Sequence, residues 1–348
     1  MDLHYSGFEQ ERRKLRHDTC TMPFLLALLA FFLSIWIVIP GPVVPLFVLT
    51  VAGTELWPVL TFVDAVVLLV GLRSHNSTRR AAIIISLVAL LCTLVPPIAY
   101  AVRGPYVPLS ALLMPLPKPG NPVAAPTGAP VVLAIYGGAW ERGSPQNDAR
   151  LNAIIASWGY RVRALNYPHA PGARWPAQRE AILREIDSQP DGRIAVLGHS
   201  SGAQLAIIAA ALRPQRISAV VTYESPVDLR LAFEYPPQPD VVGIRHILLD
   251  LCGGTPEQLP ACYRAASPRY LVRAGMPPIL MIAAGRDHVA PLAFEKLLRD
   301  ELRSDGVSVT YLELPWADHA FEYIPAGFHD RIALWYLRRF LDLHLKGT

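Results

Sequence analysis

Ser200 sits at the centre of Gly198-His199-Ser200-Ser201-Gly202, the spacing from which a chemistry can be argued. The apolar run Arg193 to Leu197 before it reads as a buried strand, and Ala203 to Leu212 after it reads as a helix. A G-x-S-x-G turn between strand and helix lifts the serine hydroxyl above a sheet, at a helix N-terminus whose N–H groups favour an anion. The small residues two before and two after the serine let strand and helix approach closely. A serine hydroxyl is a poor nucleophile at neutral pH. It needs a base, a group that orients the base, and donors for the oxyanion. Ser201 lies one place past the sharp turn, so its backbone rather than its hydroxyl is expected to serve.

Later strands supply both partners. Pro278 to Ala284 is a buried-strand run followed by Gly285-Arg286-Asp287-His288, which places Asp287 on a loop at a strand's carboxyl end. Val307 to Leu314 is another such run, followed by Pro315 to Phe321, which places His319 on the next loop. In open α/β sheets the loops at the carboxyl ends of strands form the site. The expected triad is Ser200 as nucleophile, His319 as base and Asp287 as the acid that orients it. Asp318 is a rival acid, but it precedes His319 in a short loop and is not expected to bend back onto it. His288 is expected at the surface, and His199 beside the nucleophile as lining rather than as a base.

The first strong strand of this region, Val131 to Ile135, ends in Tyr136-Gly137-Gly138-Ala139-Trp140. Glycines allow backbone N–H groups to turn toward a substrate oxygen without a side chain in the way. Gly138 and Ala139, joined by the N–H of Ser201, are the expected oxyanion donors. Trp140 and His199 are the expected substrate-lining side chains. No H-E-x-x-H or C-x-x-C occurs, and no phosphate-binding glycine loop follows a strand, so no metal and no cofactor are expected. The balance of 32 basic to 28 acidic residues is too even for a nucleic-acid footprint.

These motifs together resemble the α/β-hydrolase superfamily, on the side of the hormone-sensitive-lipase-like carboxylesterases, the feruloyl-esterase-like enzymes and the kynurenine formamidases. The matching stretches are Gly137 to Trp140, Asn166-Tyr167-Pro168, Gly198 to Gly202, Asp287 to Pro291 and His319 to Phe321, within roughly residues 130–345. The resemblance implies a mostly parallel sheet flanked by helices and ester cleavage through an acyl-enzyme. Two departures stand out. Tyr136 replaces the histidine usual before the two glycines, and Asn166 stands where an aspartate is common. A third is the shortage of sequence for two leading strands; Tyr106 to Met114 is the one stretch that offers a strand. Leu229 to Ala274 interrupts the strand-helix rhythm and is expected to form helices at the mouth of the site.

The first hundred residues have a different character. Mean hydropathy over the chain is +0.30 with only 17% charged residues, and the excess lies here. The apolar runs 22–39, 47–72 and 81–102 read as about three transmembrane helices in an all-α membrane domain, residues 1–103. The middle run, broken by Gly53, Glu55, Pro58 and Asp64, also fits a re-entrant segment or a helix limited to 56–72. Asp64 within a span reads as a carboxylate facing a neighbouring helix or the interface, or as a functional hint. Arg12, Arg13, Lys14 and Arg16 before the first run, and Arg73, Arg79 and Arg80 before the third, put those ends in the cytoplasm by the positive-inside rule. Three spans then leave the rest of the chain outside. Residues 104–130 read as a proline-rich linker, and 131–348 as the hydrolase domain.

The expectation is a multi-pass, membrane-anchored serine esterase with an extracytoplasmic catalytic domain, acting on a small-molecule or lipid ester. An amidase or formamidase, an acyltransferase, and a non-catalytic membrane interaction protein are the alternatives. Oligomeric state is left open. Cys20 and Cys92 fall at or inside membrane runs; Cys252 and Cys262 form either a disulfide or two buried thiols.

Overall fold

The computed structural model describes residues 22–113, 115–116, 128–190 and 192–347. Arg12, Arg13, Lys14, Arg16, Cys20 and residues 114 and 117–127 of the expected linker lie outside the described residues. The chain divides into two compact units, Met1–Arg103 and Gly104–Thr348.

The first unit is helical: α1 (Met22–Ile37, closing in a 3-10 turn), α2 (Val44–Glu55), α3 (Trp57–Arg73) and α4 (Arg79–Arg103). Among the described residues, only α4 is by itself long and apolar enough to cross a bilayer; its 25 residues rise about 37 Å at ~1.5 Å each, against a hydrocarbon layer of ~30 Å. The expected run 47–72 is not one straight helix. It is broken at Leu56, and α2 and α3 meet at 87°. Leu56 leaves helical geometry (φ −98°, ψ 15°), and Pro58, with no N–H to give, opens the next helix. The first run also stops as helix at Ile37 rather than at 39. Asp64 of α3 is fully buried and accepts the Ser34 hydroxyl of α1 at 2.8 Å, so it does face a neighbouring helix.

The second unit is built on six parallel strands: β1 (Val131–Ile135), β2 (Arg161–Leu165), β3 (Ile194–His199), β4 (Ala219–Tyr223), β5 (Ile279–Ala284) and β6 (Val309–Leu314). Their order is β2-β1-β3-β4-β5-β6. The interior strands β1, β3, β4 and β5 are buried along their whole length, as continuous apolar runs between helix layers must be. Edge strand β2 instead carries Arg161 and Arg163, which guard an open edge. The helices α6 (Ala149–Ser157), α7 (Ala177–Asp187), α8 (Ser201–Leu212), α12 (Leu292–Ser304) and α13 (Phe328–Leu341) link and flank the strands. α8 is buried along all but its last residue and packs behind β3 and β4.

Tyr106 to Met114 supplies no strand. Its described part forms one helical turn, α5 (Leu109–Leu112), held on α13: Arg331 donates to the Leu112 carbonyl and Tyr336 to that of Tyr106. This start of the expected linker is therefore docked on the second unit. Leu229 to Ala274 folds as expected into short helices, α9 (Leu229–Glu234), α10 (Ile244–Cys252) and α11 (Pro260–Ala266). Cys252 and Cys262 form a disulfide between α10 and α11, with Cα atoms 5.9 Å apart.

Candidate active site

The chain order of the strands decides where a site can form. β1 runs out to β2 on one side, and β3 returns to the other side of β1, so the crossover direction reverses between β1 and β3. The loops after these two strands splay apart there and leave a crevice. The loop after β1 is Tyr136 to Trp140, and the turn after β3 carries Ser200. Ile135 and Gly198 are register partners, which brings the two loops side by side.

Ser200 has φ 50° and ψ −119°, outside the regions an L-residue prefers. The flanking glycines make this turn possible. A Cβ on Gly198 would lie 2.2 Å from the Gly202 carbonyl oxygen, and one on Gly202 the same distance from that of Ile135. The turn is pinned by the Ser200 N–H, which donates to the Tyr223 carbonyl at 2.9 Å.

Asp287 and His319 follow β5 and β6 and reach the same point. The His319 Nε2 is 3.0 Å from Ser200 Oγ, and its Nδ1 is 2.9 Å from Asp287 Oδ2. The other oxygen of Asp287 accepts the Val289 and Ala290 N–H groups, which fixes the carboxylate. Burial pulls the His319 imidazole down, but the charge and hydrogen bond of Asp287 outweigh it and hold His319 above its ordinary value of 6.5. Asp318 takes no part in orienting the His319 ring. It accepts the backbone N–H groups of His288 and His319 and pairs with the His288 ring at 2.6 Å. His288 is thus a tethered, half-buried residue rather than a free surface one.

Gly138, Ala139 and Ser201 all line a cavity of about 230 Å³ over Ser200. Their N–H groups donate to no partner among the described residues. That leaves three donors beside the serine for a developing oxyanion. Trp140 and His199 line the same cavity as walls, and both are almost fully buried. Trp140 Nε1 donates to Gln204, and the His199 ring stacks on Tyr223.

The family model BD-FAE matches residues 121–302, more than half of the chain. The chain belongs to the BD-FAE family. Among curated relatives of this BD-FAE-family chain is a probable carboxylic ester hydrolase, LipM, of Mycobacterium tuberculosis, 27% identical over 59% of this chain and 53% of its own length. Esterase LipC of the same organism is 30% identical over 56% and 54%, and an acetyl-hydrolase of Streptomyces hygroscopicus 30% over 55% and 68%. The chain spans about half the length of LipM and LipC. A Pyrobaculum calidifontis esterase superposes with a TM-score of 0.53 at 21% identity, covering 61% of this chain and 75% of that one. An esterase of the bacterial hormone-sensitive lipase family gives 0.54 at 23%, covering 64% and 80%. These likenesses show the α/β-hydrolase fold.

Within this BD-FAE-family chain the two sequence departures answer each other. The Tyr136 hydroxyl, where a histidine is usual, donates to Asn166 Oδ1 at 2.7 Å, where an aspartate is common. Its ring stacks on Tyr167 at 4.5 Å, and the Tyr167 hydroxyl donates back to the Tyr136 carbonyl at 3.2 Å. A neutral pair thus anchors the loop that carries Gly138 and Ala139.

Sequence spacing did not reveal the carboxylates packed around the triad. Glu322 lies 2.9 Å from His199 Nδ1, and Tyr323 donates to Asp148, which is 4.0 Å from His199 Nε2. Glu224, just after β4, is buried 3.5 Å from His319 Nδ1. Its place at a strand's carboxyl end was the available signal, and the four residues between Glu224 and Leu229 hid it among the loop residues. Among the described residues, Glu224, Asp287 and His319 form the one group whose ligand atoms are close enough for a metal, all within 4.8 Å. His319 and Asp287 already bond to each other, and Glu224 Oε2 accepts a backbone N–H.

Proposed function

We propose that this chain is a membrane-anchored serine hydrolase that cleaves carboxylic esters with small acyl groups. The observation that carries it is the unbroken chain Asp287–His319–Ser200 at 2.9 and 3.0 Å beneath three uncommitted N–H donors. His319 takes the Ser200 proton as Oγ attacks the acyl carbon, and Asp287 stabilises the imidazolium that forms. The N–H groups of Gly138, Ala139 and Ser201 hold the oxyanion. His319 then passes its proton to the leaving alcohol. Water, activated by the same base, releases the acid from the acyl-enzyme.

The cavity argues for a small acyl group. Its volume falls below the ~300–1,000 Å³ of pockets for drug-sized ligands. Its lining includes the apolar side chains of Val227, Ala232, Val242, Ile244, Ile247 and Phe294. The relative named acetyl-hydrolase points the same way. A fluorophosphonate probe should label Ser200 in detergent-solubilised protein, and an ester series should show kcat/KM falling beyond medium acyl length. No labelling, or a preference that keeps rising with chain length, overturns the reading.

Membrane anchoring and an extracytoplasmic hydrolase unit belong to the same proposal. Support comes from the apolar helices of the first unit, the basic residues Arg73, Arg79 and Arg80 between the second and third runs, and a disulfide suited to an oxidising compartment. A reporter fused at Thr348 should behave as extracytoplasmic and one at Ser77 as cytoplasmic. A cytoplasmic Thr348 would mean that the bent pair α2 and α3 does not cross.

A further inference from the structure

The mechanism above needs one carboxylate at His319, and the structure holds two. Glu224 follows β4 directly, in a left-handed conformation (φ 52°), with its N–H on the Ile282 carbonyl at 2.9 Å. Its Oε2 accepts the N–H of Ala320 at 2.6 Å and stands 3.5 Å from His319 Nδ1. The nitrogen that Asp287 Oδ2 holds at 2.9 Å thus has a second carboxylate just beyond bonding distance. Glu224 Oε1 is sealed from solvent with no hydrogen-bond partner. Holding one N–H does not explain a buried acid, because a neutral glutamine would accept the same bond without the cost of burying an ionisable group.

The groups facing Glu224 are His319 and three more carboxyls: Asp287, Glu322 on the turn after His319, and Glu295 on α12. Burial first, then the charges of Glu322 and Asp287, push Glu224 well above the ordinary carboxylate range. Two carboxyls this close to one imidazole do not both ionise readily. Asp287 has two backbone N–H donors on its outer oxygen and Glu224 Oε1 has none, so Asp287 is the better-held partner of the imidazole.

We infer that Glu224 is a positioning residue for His319 and a latent second partner for it. It holds the His319 loop through Ala320, and it takes over as counter-carboxylate when Asp287 is lost. With Asp287 gone, one repelling neighbour goes too, Glu224 gives up its proton by way of the imidazole and the cavity that both line, and the ring turns to Oε2 across the remaining 3.5 Å.

This rests on the esterase reading of Ser200 and His319, and a double-mutant cycle on the full chain in detergent tests it. Asp287→Ala leaves no competing donor at Nδ1, and Asp287→Ser keeps an acceptor for the Val289 N–H in case the loop needs one. Hydrolysis of a short-chain p-nitrophenyl ester is followed against pH, with fluorophosphonate labelling and a melting curve for each variant. Loss of the acid ordinarily costs roughly 10⁴-fold in turnover. Here Asp287→Ala or Asp287→Ser should lose about a hundredfold, and its pH limb should stay near the wild-type position. Glu224→Gln, which keeps the Ala320 bond, should cost about tenfold or less in the intact chain. Added to either Asp287 variant it should cost a further hundredfold or so and move the limb acidward, because no carboxylate then pairs directly with the imidazole. Equal factors for Glu224→Gln in both backgrounds, with the limb unmoved, overturn the inference while labelling of Ser200 persists. A wild-type chain that never labels overturns the esterase reading and this inference with it.

Discussion

The two units of this chain bury different mixtures of residues, although the helical unit also buries Ile37, Phe47, Val51 and Val67. In the hydrolase unit the large aliphatics are inside: Leu133, Ile135, Val196 and Ile279 are fully buried, and the open edge carries arginines. In the helical unit the small residues Ala27, Ala30 and Ala82 are inside, with Ser34, Thr50, Asp64, Ser86 and Thr93. Phe62 and Val102 there are 70% and 73% exposed. Water drives the first arrangement, because burial removes apolar surface from it. It would oppose the second, and an apolar patch of this kind needs a cover. Hydrocarbon tails are as apolar as leucine, so helices packing in lipid associate through small and polar residues. The contrast supports the proposed membrane setting of the helical unit, in which an apolar medium, rather than water, covers the large side chains.

The sharpest effect is expected at the chemistry. Ser200→Ala should lower turnover by roughly 10⁴-fold or more without changing the melting curve of either unit. Turnover that survives in this variant but is lost in Ser201→Ala would move the nucleophile by one residue. Next come paired truncations that set the units against each other. Leu133→Ala should destabilise the hydrolase unit by about 2–5 kcal/mol, since it opens a cavity in a dry core. Phe62→Ala, in detergent, should change stability by less than about 0.5 kcal/mol. Equal losses, read from melting of the full chain, would mean that Phe62 has a protein partner and that the inside-out comparison fails.

A smaller stability effect belongs to the disulfide. Replacing Cys252 and Cys262 by serine should cost about 2–3 kcal/mol, from the short loop it closes. Unreduced peptide mass spectrometry on protein from its native membrane should find the two joined. Free thiols at both positions would remove the support that the bridge lends to an extracytoplasmic hydrolase unit. The mildest signature is in pH. His319 must be neutral to accept the Ser200 proton, and its pairing with Asp287 raises the pH at which it loses its own. Therefore kcat/KM should rise with pH and level off past a midpoint above 6.5. Activity that falls between pH 6 and 8 would exclude His319 as base.

Much of the site was legible because its chemistry is local. Gly198 and Gly202 mark a turn that tolerates no Cβ, and buried strands announce themselves as the apolar runs before Ser200, Asp287 and His319. The position of each residue at a strand end was enough to nominate Asp287 and His319 as partners of Ser200, given that parallel strands end on one edge. At 47–72 the sequence left open one span, a re-entrant segment or a helix over 56–72, because hydropathy sums over a window and is blind to direction; the structure has a helix over Trp57–Arg73 after a break. The run stays apolar through Leu56 while the chain turns by 87° there. Tyr106 to Met114 supplies no strand for a related reason: the carbonyls of Leu112 and Tyr106 are taken by Arg331 and Tyr336, more than 200 positions away.

The sequence by itself determined the order of strand and helix, the nucleophile turn, and the strand-end loops that offer Ser200 its partners. Each of those follows from backbone sterics and burial within about a dozen neighbouring positions. Only the tertiary structure decided which acid serves His319. Asp287, Asp318, Glu224 and Glu322 all lie nearby, and their bonds assign Asp287 to the ring, Asp318 to His288 and Glu322 to His199. It alone paired Tyr136 with Asn166 and brought Glu224 up beside the triad. These are contacts between residues 30 to about 120 positions apart, set by sheet order and loop path, and no local pattern encodes a distance across the fold.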